Sequence, residues 1–208
     1  MARHADFYPL ILPAVLGCPY PTVDFAINRA AIELCQVGRV WEESIDPIAL
    51  VAGFSTYDIS LPSDSVLVCI RSAQMGGDSL PAAQSWIELE AIDAPAAVPE
   101  KYAMRGQELI VHPKPAMSGE RIALVATLKP SFSASTLPDV LLDMHMAAVA
   151  EGAKAFLKEM SGTAWFDPSG AVFSHQRFRD EISRARIAIE HGFVGGSLSV
   201  TPKPFGQR

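Results

Sequence analysis

Apolar side chains recur every three or four residues near the start of the chain. This spacing predicts a helix from Pro21 to Gly38, because proline suits the first helical turn and glycine suits a helix end. One face is apolar, and polar side chains fall largely off it, so we expect that face to be buried. The apolar positions are Val23, Ile27, Ala30 and Leu34, with Ala31 and Cys35 beside them, and the polar ones are Asp24, Asn28 and Glu33.

Between Trp41 and Lys129 the helical period is replaced by short apolar runs separated by Gly, Pro, Ser and Asp. Such runs predict strands, and the run 121–128 alternates well, with Ile122, Leu124 and Ala126 on one face. The Gly76-Gly77-Asp78 sequence predicts a hairpin turn. We predict a small, mostly antiparallel sheet region with strands at residues 44–51, 56–59, 66–72, 86–92, 108–112 and 121–129.

Helical spacing returns after Pro138 and continues to Met160, where Ser161-Gly162 predicts an end. The apolar positions of this helix are Leu141, Leu142, His145, Val149, Ala153, Phe156, Leu157 and Met160. A second helix is predicted from Asp167, a good N-cap followed by Pro168, to His191-Gly192. Its apolar positions are Phe178, Ile182, Ala185 and Ile189. The short connection predicts an antiparallel helical hairpin.

These elements predict an α+β fold: a helical bundle of one N-terminal helix plus a C-terminal helical hairpin, with a β-rich antiparallel insertion and an extended C-terminal tail. We treat residues 1–208 as a single domain. Within it, residues 20–40 and 137–192 are the predicted helical part and 41–130 the β-rich insertion. Residues 193–208 form a C-terminal arm. The apolar stretch from Tyr8 to Gly17 is broken by Pro9 and Pro13, so we expect it to pack onto the domain rather than direct export.

The composition of the chain argues against several classes of function. The 208 residues carry 17 Lys and Arg against 23 Asp and Glu, a formal charge of −6, which argues against a broad basic surface for nucleic acid. At 49% hydrophobic residues the chain is expected to fold, and it has no apolar stretch of the roughly 18 residues that a membrane span needs. Cys18, Cys35 and Cys69 lie far apart, so we expect reduced, mostly buried thiols.

Motifs for chemistry are sparse. The chain has neither of the glycine-rich phosphate-binding motifs, and no two of its five histidines are spaced i, i+4. His145 could act with Asp143 or Glu151 in a small hydrolase or binding enzyme. The alternative is a helix-start carboxylate pair, Asp139 and Asp143, beside a half-buried histidine. We favour the second interpretation and predict no catalytic residue, cofactor or metal.

The last predicted helix carries charged side chains that could either bind DNA or form ion pairs with one another. Arg177, Arg179, Arg184 and Arg186 cover much of its polar side, but Asp180, Glu181 and Glu190 are close enough in sequence to pair with them. We therefore predict ion pairs within the helix or between subunits rather than DNA binding. The carboxylate pairs Glu42-Glu43, Glu88 with Glu90, and Asp180-Glu181 are interpreted as solvated faces.

The tail after residue 192 is more apolar than a solvating tail requires. It is either a frayed terminus, the common case, or an arm that becomes ordered on a partner. As a partner-binding arm its candidate residues are Phe193, Val194, Leu198, Val200, Pro202, Lys203, Pro204 and Phe205.

Short runs from about Pro13 to Ile189 resemble those of head-to-tail adaptor proteins of tailed phages. They include Leu16-Gly17-Cys18-Pro19, Ala30-Ala31-Ile32-Glu33-Leu34-Cys35, Trp41, Asp46-Pro47-Ile48, Gly53-Phe54-Ser55-Thr56-Tyr57-Asp58-Ile59, Leu109-Ile110-Val111-His112-Pro113-Lys114-Pro115, Leu128-Lys129-Pro130-Ser131, Leu137-Pro138-Asp139, Gly152, Trp165-Phe166-Asp167-Pro168 and Phe178.

This resemblance implies a virion structural protein, also called a head completion or tail tubular protein of short-tailed phages. Such a protein assembles with itself as a ring, typically dodecameric, between the portal protein and the tail nozzle or tail tube. DNA passes through the ring without specific binding, and the C-terminal arm docks on the portal. The protein would be made in the host cytoplasm and reside in the phage neck. A tail terminator or stopper connector, often hexameric in long-tailed phages, is the nearest alternative.

Overall fold

The structure, a computed structural model, describes residues 1–91 and 94–192 and confirms the α+β class with antiparallel sheets. The helices are α1 (Tyr8–Ile11), α2 (Tyr20–Gly38), α3 (Trp86–Ala91), α4 (Asp139–Asp143), α5 (Met146–Lys158) and α6 (Pro168–Glu190), with 3₁₀ turns at His4–Phe7 and Leu12–Ala14. The strands are β1 (Ala2–Arg3), β2 (Glu42–Ala49), β3 (Thr56–Asp58), β4 (Ser65–Met75), β5 (Asp78–Ser79), β6 (Lys101–Arg105), β7 (Glu108–His112), β8 (Arg121–Pro130) and β9 (Thr136–Leu137).

Helix α2 forms where the apolar spacing predicts it. Val23, Ile27, Ala30 and Leu34 are fully buried, and the helix ends at Gly38, with Arg39 in the left-handed conformation after it. Asn28 departs from the prediction, because it is buried rather than solvated. Its side-chain Nδ2 donates hydrogen bonds to the carbonyls of Ser131 and Phe132, which satisfy this donor group away from water.

The single helix predicted between Pro138 and Met160 is two helices. Helix α4 ends at Asp143, and α5 begins at Met146 after His145 leaves the helical conformation, with φ −129° and ψ 16°. The two parts pack on different partners: α4 lies against β1, and α5 lies against α2 and α6. One straight helix could not meet both sets of contacts, so the chain turns between them.

Helix α6 confirms its predicted start and end. The Asp167 carboxylate accepts a hydrogen bond from the Gly170 amide at 2.9 Å, Pro168 is the first helical residue, and His191 follows the last turn. Phe178, Ile182 and Ala185 are buried, and Ile189 is half-buried. The capped helix therefore presents one apolar side to the rest of the molecule.

Helices α2, α5 and α6 approach one another closely at Gly152 of α5. A Cβ at this position would lie 2.8 Å from the Ala30 Cβ of α2 and 2.9 Å from the Phe178 ring of α6. Real Cβ atoms do not come so close to a neighbour, so only glycine fits without a shift of the packing. The absent side chain lets the three helices meet at one point.

The main sheet has the strand order β2-β8-β4-β5, with β8 between its two longest partners. Ile122, Leu124 and Ala126 share a buried face, as predicted, but Thr127 on the other face is also buried. Helix α2 packs against β8, which explains why both faces are covered there. Met75 pairs with Asp78 across Gly76 and Gly77, both with positive φ, so the predicted hairpin turn is confirmed.

A second sheet, ordered β3-β7-β6, contains the clearest error of prediction. Residues 86–91 are helix α3 rather than a strand, and residue 92 lies outside the described part. Trp86 and Leu89, three residues apart, pack into one small cluster while Ile87 is exposed, which is the spacing of a helical turn. The sequence pattern did not predict strand β6, which pairs with β7 across the turn at Gly106 and Gln107.

The N-terminal segment packs onto the rest of the chain, as expected from its sequence. Phe7, Ile11 and Val15 are fully buried in the main core, and β1 pairs with β9 just before α4. The Tyr8 hydroxyl donates a hydrogen bond to Asp24 of α2 at 2.6 Å. Burial and this hydrogen bond raise the pKa of Tyr8 to about 12. The segment is therefore held by both apolar and polar contacts.

Candidate interaction surfaces

His145, the candidate base of the enzyme hypothesis, lies at the break between α4 and α5 and is half-buried. Burial lowers its pKa, while the charge of Glu181 on α6 acts in the opposite direction. The carboxylate whose charge acts on the pKa of His145 is thus Glu181, whereas the sequence analysis proposed Asp143 or Glu151. Within residues 1–91 and 94–192, His145 makes no hydrogen bond to Asp143 or Glu151.

Glu151 is already paired in the structure. Lys154 contacts its carboxylate at 2.7 Å, and Arg177 reaches the same oxygen at 3.5 Å from α6. Both cations hold this carboxylate in an open cleft of about 270 Å³ between α5 and α6, also lined by Asp180 and Arg184. An acid bound to two cations is a structural ion-pair group, and it lacks the hydrogen bond to a histidine that a catalytic pair requires.

The remaining candidates for site chemistry are separated. Cys18 and Cys35 are buried and burial raises the pKa of both thiols, as expected for inert cysteines, whereas Cys69 is half-buried. In the part of the chain that the structure describes, no three His, Cys, Asp or Glu side chains converge in a way that could hold a metal ion. The same residues include no helix long and apolar enough to cross a membrane.

Ion pairs occupy much of the polar side of α6, as predicted. Arg184 contacts Glu181 at 2.8 Å, and Arg186 contacts Glu190 at 3.0 Å. Arg177 pairs instead with Glu151 of α5 and lies over the Phe173 ring at 5.1 Å. These three guanidinium groups are engaged by neighbouring side chains, which reduces the basic surface that α6 could offer to phosphate groups.

The first candidate interaction surface is an aromatic pair that the sequence analysis missed. Phe25 of α2 and Phe132, in the loop after β8, meet edge to face with ring centroids 5.5 Å apart. They are 43% and 74% exposed. Asn28 holds this loop against α2, so the pair is built on fixed backbone. The sequence feature that could have revealed this pair is Phe25, an aromatic side chain on the polar face of a predicted helix.

The second candidate surface is the outer stripe of α6, which comprises Val172, Phe173 and Ile187. All three are more than half exposed, and they lie opposite the buried side of the helix. Phe173 and Ile187 are fourteen residues apart, close to four helical turns, with exposed Asp180 midway between them. This mixture of apolar ends and a charged centre is typical of protein contact surfaces rather than of pockets for small molecules.

A comparison with known protein families bears on whether the chain is a phage structural protein or a small enzyme. The sequence matches the family model described as SU10 adaptor protein over residues 16–192, which is most of the chain. The chain belongs to the SU10 adaptor protein family. No curated protein matches it.

Membership of the SU10 adaptor family indicates a phage adaptor protein, which is a structural component of the virion, and it implies a non-enzymatic role. This agrees with the paired state of Glu151 and with the separation of the candidate catalytic groups. The family match ends at residue 192. The predicted arm, Phe193 to Phe205, therefore lies outside both the match and the described residues.

Proposed function

We propose that this SU10 adaptor protein assembles with itself as a ring, most simply a dodecamer, between the portal and the tail nozzle of a tailed phage. The observation that carries the proposal is the family match over residues 16–192. The ring connects head to tail, and DNA passes through its channel without specific binding. The acidic balance of the chain, −6, favours a channel to which DNA does not adhere.

The exposed apolar surfaces support self-association. A ring needs two different contact surfaces on each copy, because the interface between neighbours is head to tail. The aromatic pair lies on α2 and the loop after β8, whereas the outer stripe lies on α6. Two separate apolar surfaces on a compact chain provide what such an interface requires.

The C-terminal arm is the part that we propose for portal binding. Its candidate side chains combine Phe193, Leu198, Val200 and Phe205 with a charged Lys203, so it can bury apolar area while remaining soluble. An arm that docks on a preformed groove gains its binding energy from a few buried anchors. Removal of residues 194–208 should leave the folded core intact and abolish portal binding.

Native mass spectrometry tests the proposal. The purified chain is measured alone and after mixing with the portal protein from the same genome. We expect a complex that contains many copies of this chain per portal ring. A chain that remains monomeric and ignores the portal would contradict the proposal and favour a connector on the tail side.

Matched variants identify the self-contact. Phe132→Ser should reduce the number of copies bound per portal ring, because it removes the most exposed aromatic side chain of the pair. Phe54→Ser is the control, because Phe54 is an exposed aromatic residue in a different loop, between β2 and β3. Equal assembly of both variants with the wild type would exclude the aromatic pair from the interface.

A further inference from the structure

The aromatic pair of Phe25 and Phe132 has a cation beside it. Arg29 follows Phe25 by one helical turn on the exposed side of α2, and residues at this spacing are neighbours on a helix surface. Its guanidinium lies over the ring of Phe156 in α5, 4.0 Å from the ring centroid. Within residues 1–91 and 94–192, Arg29 forms no ion pair with a carboxylate. This side of the molecule therefore combines two exposed rings with one cation that no acid neutralises.

The outer stripe of α6 carries the opposite charge between its apolar ends. Phe173 and Ile187 lie seven residues before and after Asp180. Seven residues are close to two full turns, so each apolar side chain leaves the helix axis within about 20° of the Asp180 direction. All three side chains are exposed. The stripe therefore presents two apolar side chains with one anion midway between them.

The arginines nearest to Asp180 along α6 are engaged by other acids. Arg184 contacts Glu181 at 2.8 Å, and Arg177 contacts Glu151 of α5 at 3.5 Å. Among the residues that the structure describes, Asp180 itself accepts no hydrogen bond and pairs with no cation. Its carboxylate is therefore available to a cation from outside the chain.

Arg29 and Asp180 lie on different sides of the helical layer. The Phe156 ring beneath Arg29 meets the His175 ring of α6 edge to face, with ring centroids 5.6 Å apart. Asp180 follows His175 by five residues, which places it about 140° around the helix from that contact. The two unpaired charges therefore point away from each other within one chain, and each can meet its opposite only on another molecule.

We propose that the aromatic pair of one copy docks on the outer stripe of the next copy, with Arg29 paired to Asp180. The two exposed rings then pack on Phe173 and Ile187. Opposite charges within two apolar surfaces fix the register of such an interface. Because two different surfaces of the chain meet, the contact repeats head to tail, as a closed ring requires. This inference rests on the proposed function and deepens it by naming the residues through which neighbours meet.

Charge reversal at the two positions tests this contact. Arg29→Asp and Asp180→Arg are each titrated onto the portal protein, and native mass spectrometry gives the number of copies bound. We expect each variant alone to need at least about tenfold more protein than the wild type for half-maximal occupancy, because like charges then face each other. Arg121→Asp and Asp46→Arg reverse exposed charges on the main sheet. They are the matched controls and should assemble like the wild type.

A mixture of the two variants makes the test specific. In an assembly that alternates Arg29→Asp and Asp180→Arg copies, every contact again joins opposite charges. We expect the equimolar mixture to assemble within about twofold of the wild type and to contain equal numbers of both variants, distinguished by isotope labelling of one. If the wild type assembles but the mixture fails, or if each variant alone assembles like the wild type, the inference is overturned and the proposed function stands. A wild-type chain that does not assemble on the portal would overturn both.

A disulfide cross-link tests the same contact without changing either charge. Chains with Phe132→Cys are mixed on the portal with isotope-labelled chains that carry Phe173→Cys or Ile187→Cys, and are treated with oxidised glutathione. Cys69→Ser is the background, because the native thiol is only half-buried. We expect a disulfide between light and heavy chains for at least one of the two pairs. Phe54→Cys in place of Phe132→Cys is the control. No link, or an equal yield in the control, would overturn the inference.

Discussion

The helical layer of α2, α5 and α6 and the small sheet of β3, β7 and β6 are stabilised differently. The helices contribute fully buried side chains such as Ile27, Leu34 and Leu157 to the main core. The sheet contributes Leu109 and Val111 to that core. Among residues 1–91 and 94–192, its other face packs on a separate small cluster of Leu89, Ala103 and Ile110, with Ala83 and Trp86 half-buried beside them. A face supported by so few residues can open locally while the helices stay folded.

Phe178→Ala should have the largest effect, because it empties a fully buried site on the helical side. We expect a loss of about 3 to 5 kcal/mol in the free energy of unfolding, measured by urea denaturation. Phe173→Ala, on the exposed stripe of the same helix, is the control and should change the stability by less than about 0.5 kcal/mol. Similar losses of stability for both variants would contradict this expectation, because they would show that the buried side of α6 contributes no more to stability than its exposed side.

Leu89→Ala should have a smaller and local effect, because the cluster around it is shallow. We expect about 2 kcal/mol, the low end for such a truncation, and faster hydrogen exchange confined to α3, β6 and β7. Ile87→Ala in the same helix removes an exposed side chain and should change little. Faster exchange throughout α5 and α6 would show that the two regions unfold together.

Tyr8→Phe should have the smallest effect, a loss of about 1 kcal/mol at neutral pH that disappears as the pH rises, because the variant lacks the hydrogen bond to Asp24. Because the pKa of folded Tyr8 is about 12, above the ordinary tyrosine value of about 10, its contribution to stability is complete below pH 10 and is lost as the pH rises toward 12. The wild-type melting temperature should therefore fall more steeply than that of Tyr8→Phe between about pH 10 and pH 12. Tyr20→Phe, which keeps the stacked ring, should behave like the wild type. Parallel curves for all three proteins would refute the coupling.

The same contrast explains how much could be predicted from the sequence. Helices α2 and α6 were identified because long apolar periods and end signals such as Asp167 with Pro168 agree. Trp86 and Leu89 lie in a stretch too short to distinguish a helical turn from a strand, so packing decided the conformation. Neither Asn28 nor Gly152 carries a local signal, because the role of each depends on a residue far away in the chain.

The interaction surfaces were the least predictable part. Phe132 is a loop residue by sequence, and only its contact with Phe25 makes it one half of an aromatic pair. Likewise, residues 66–70 were identified as part of a strand, but pattern alone could not show that β4 pairs with β8 along its length and with the short β5 at Gln74 and Met75. Surfaces of this kind arise from topology, which short-range spacing does not encode.

The buried amide of Asn28 also has a mechanical consequence. Its two hydrogen bonds, 3.1 Å to the Ser131 carbonyl and 2.8 Å to the Phe132 carbonyl, join helix α2 to the chain just as it leaves the sheet. Lys129 adds a third link, donating to Gln36 of the same helix at 2.9 Å. A pulling force applied to β8 is thus transmitted sideways into α2 instead of peeling the strand away. Sheet and helix bear such a load together, as one stiff element.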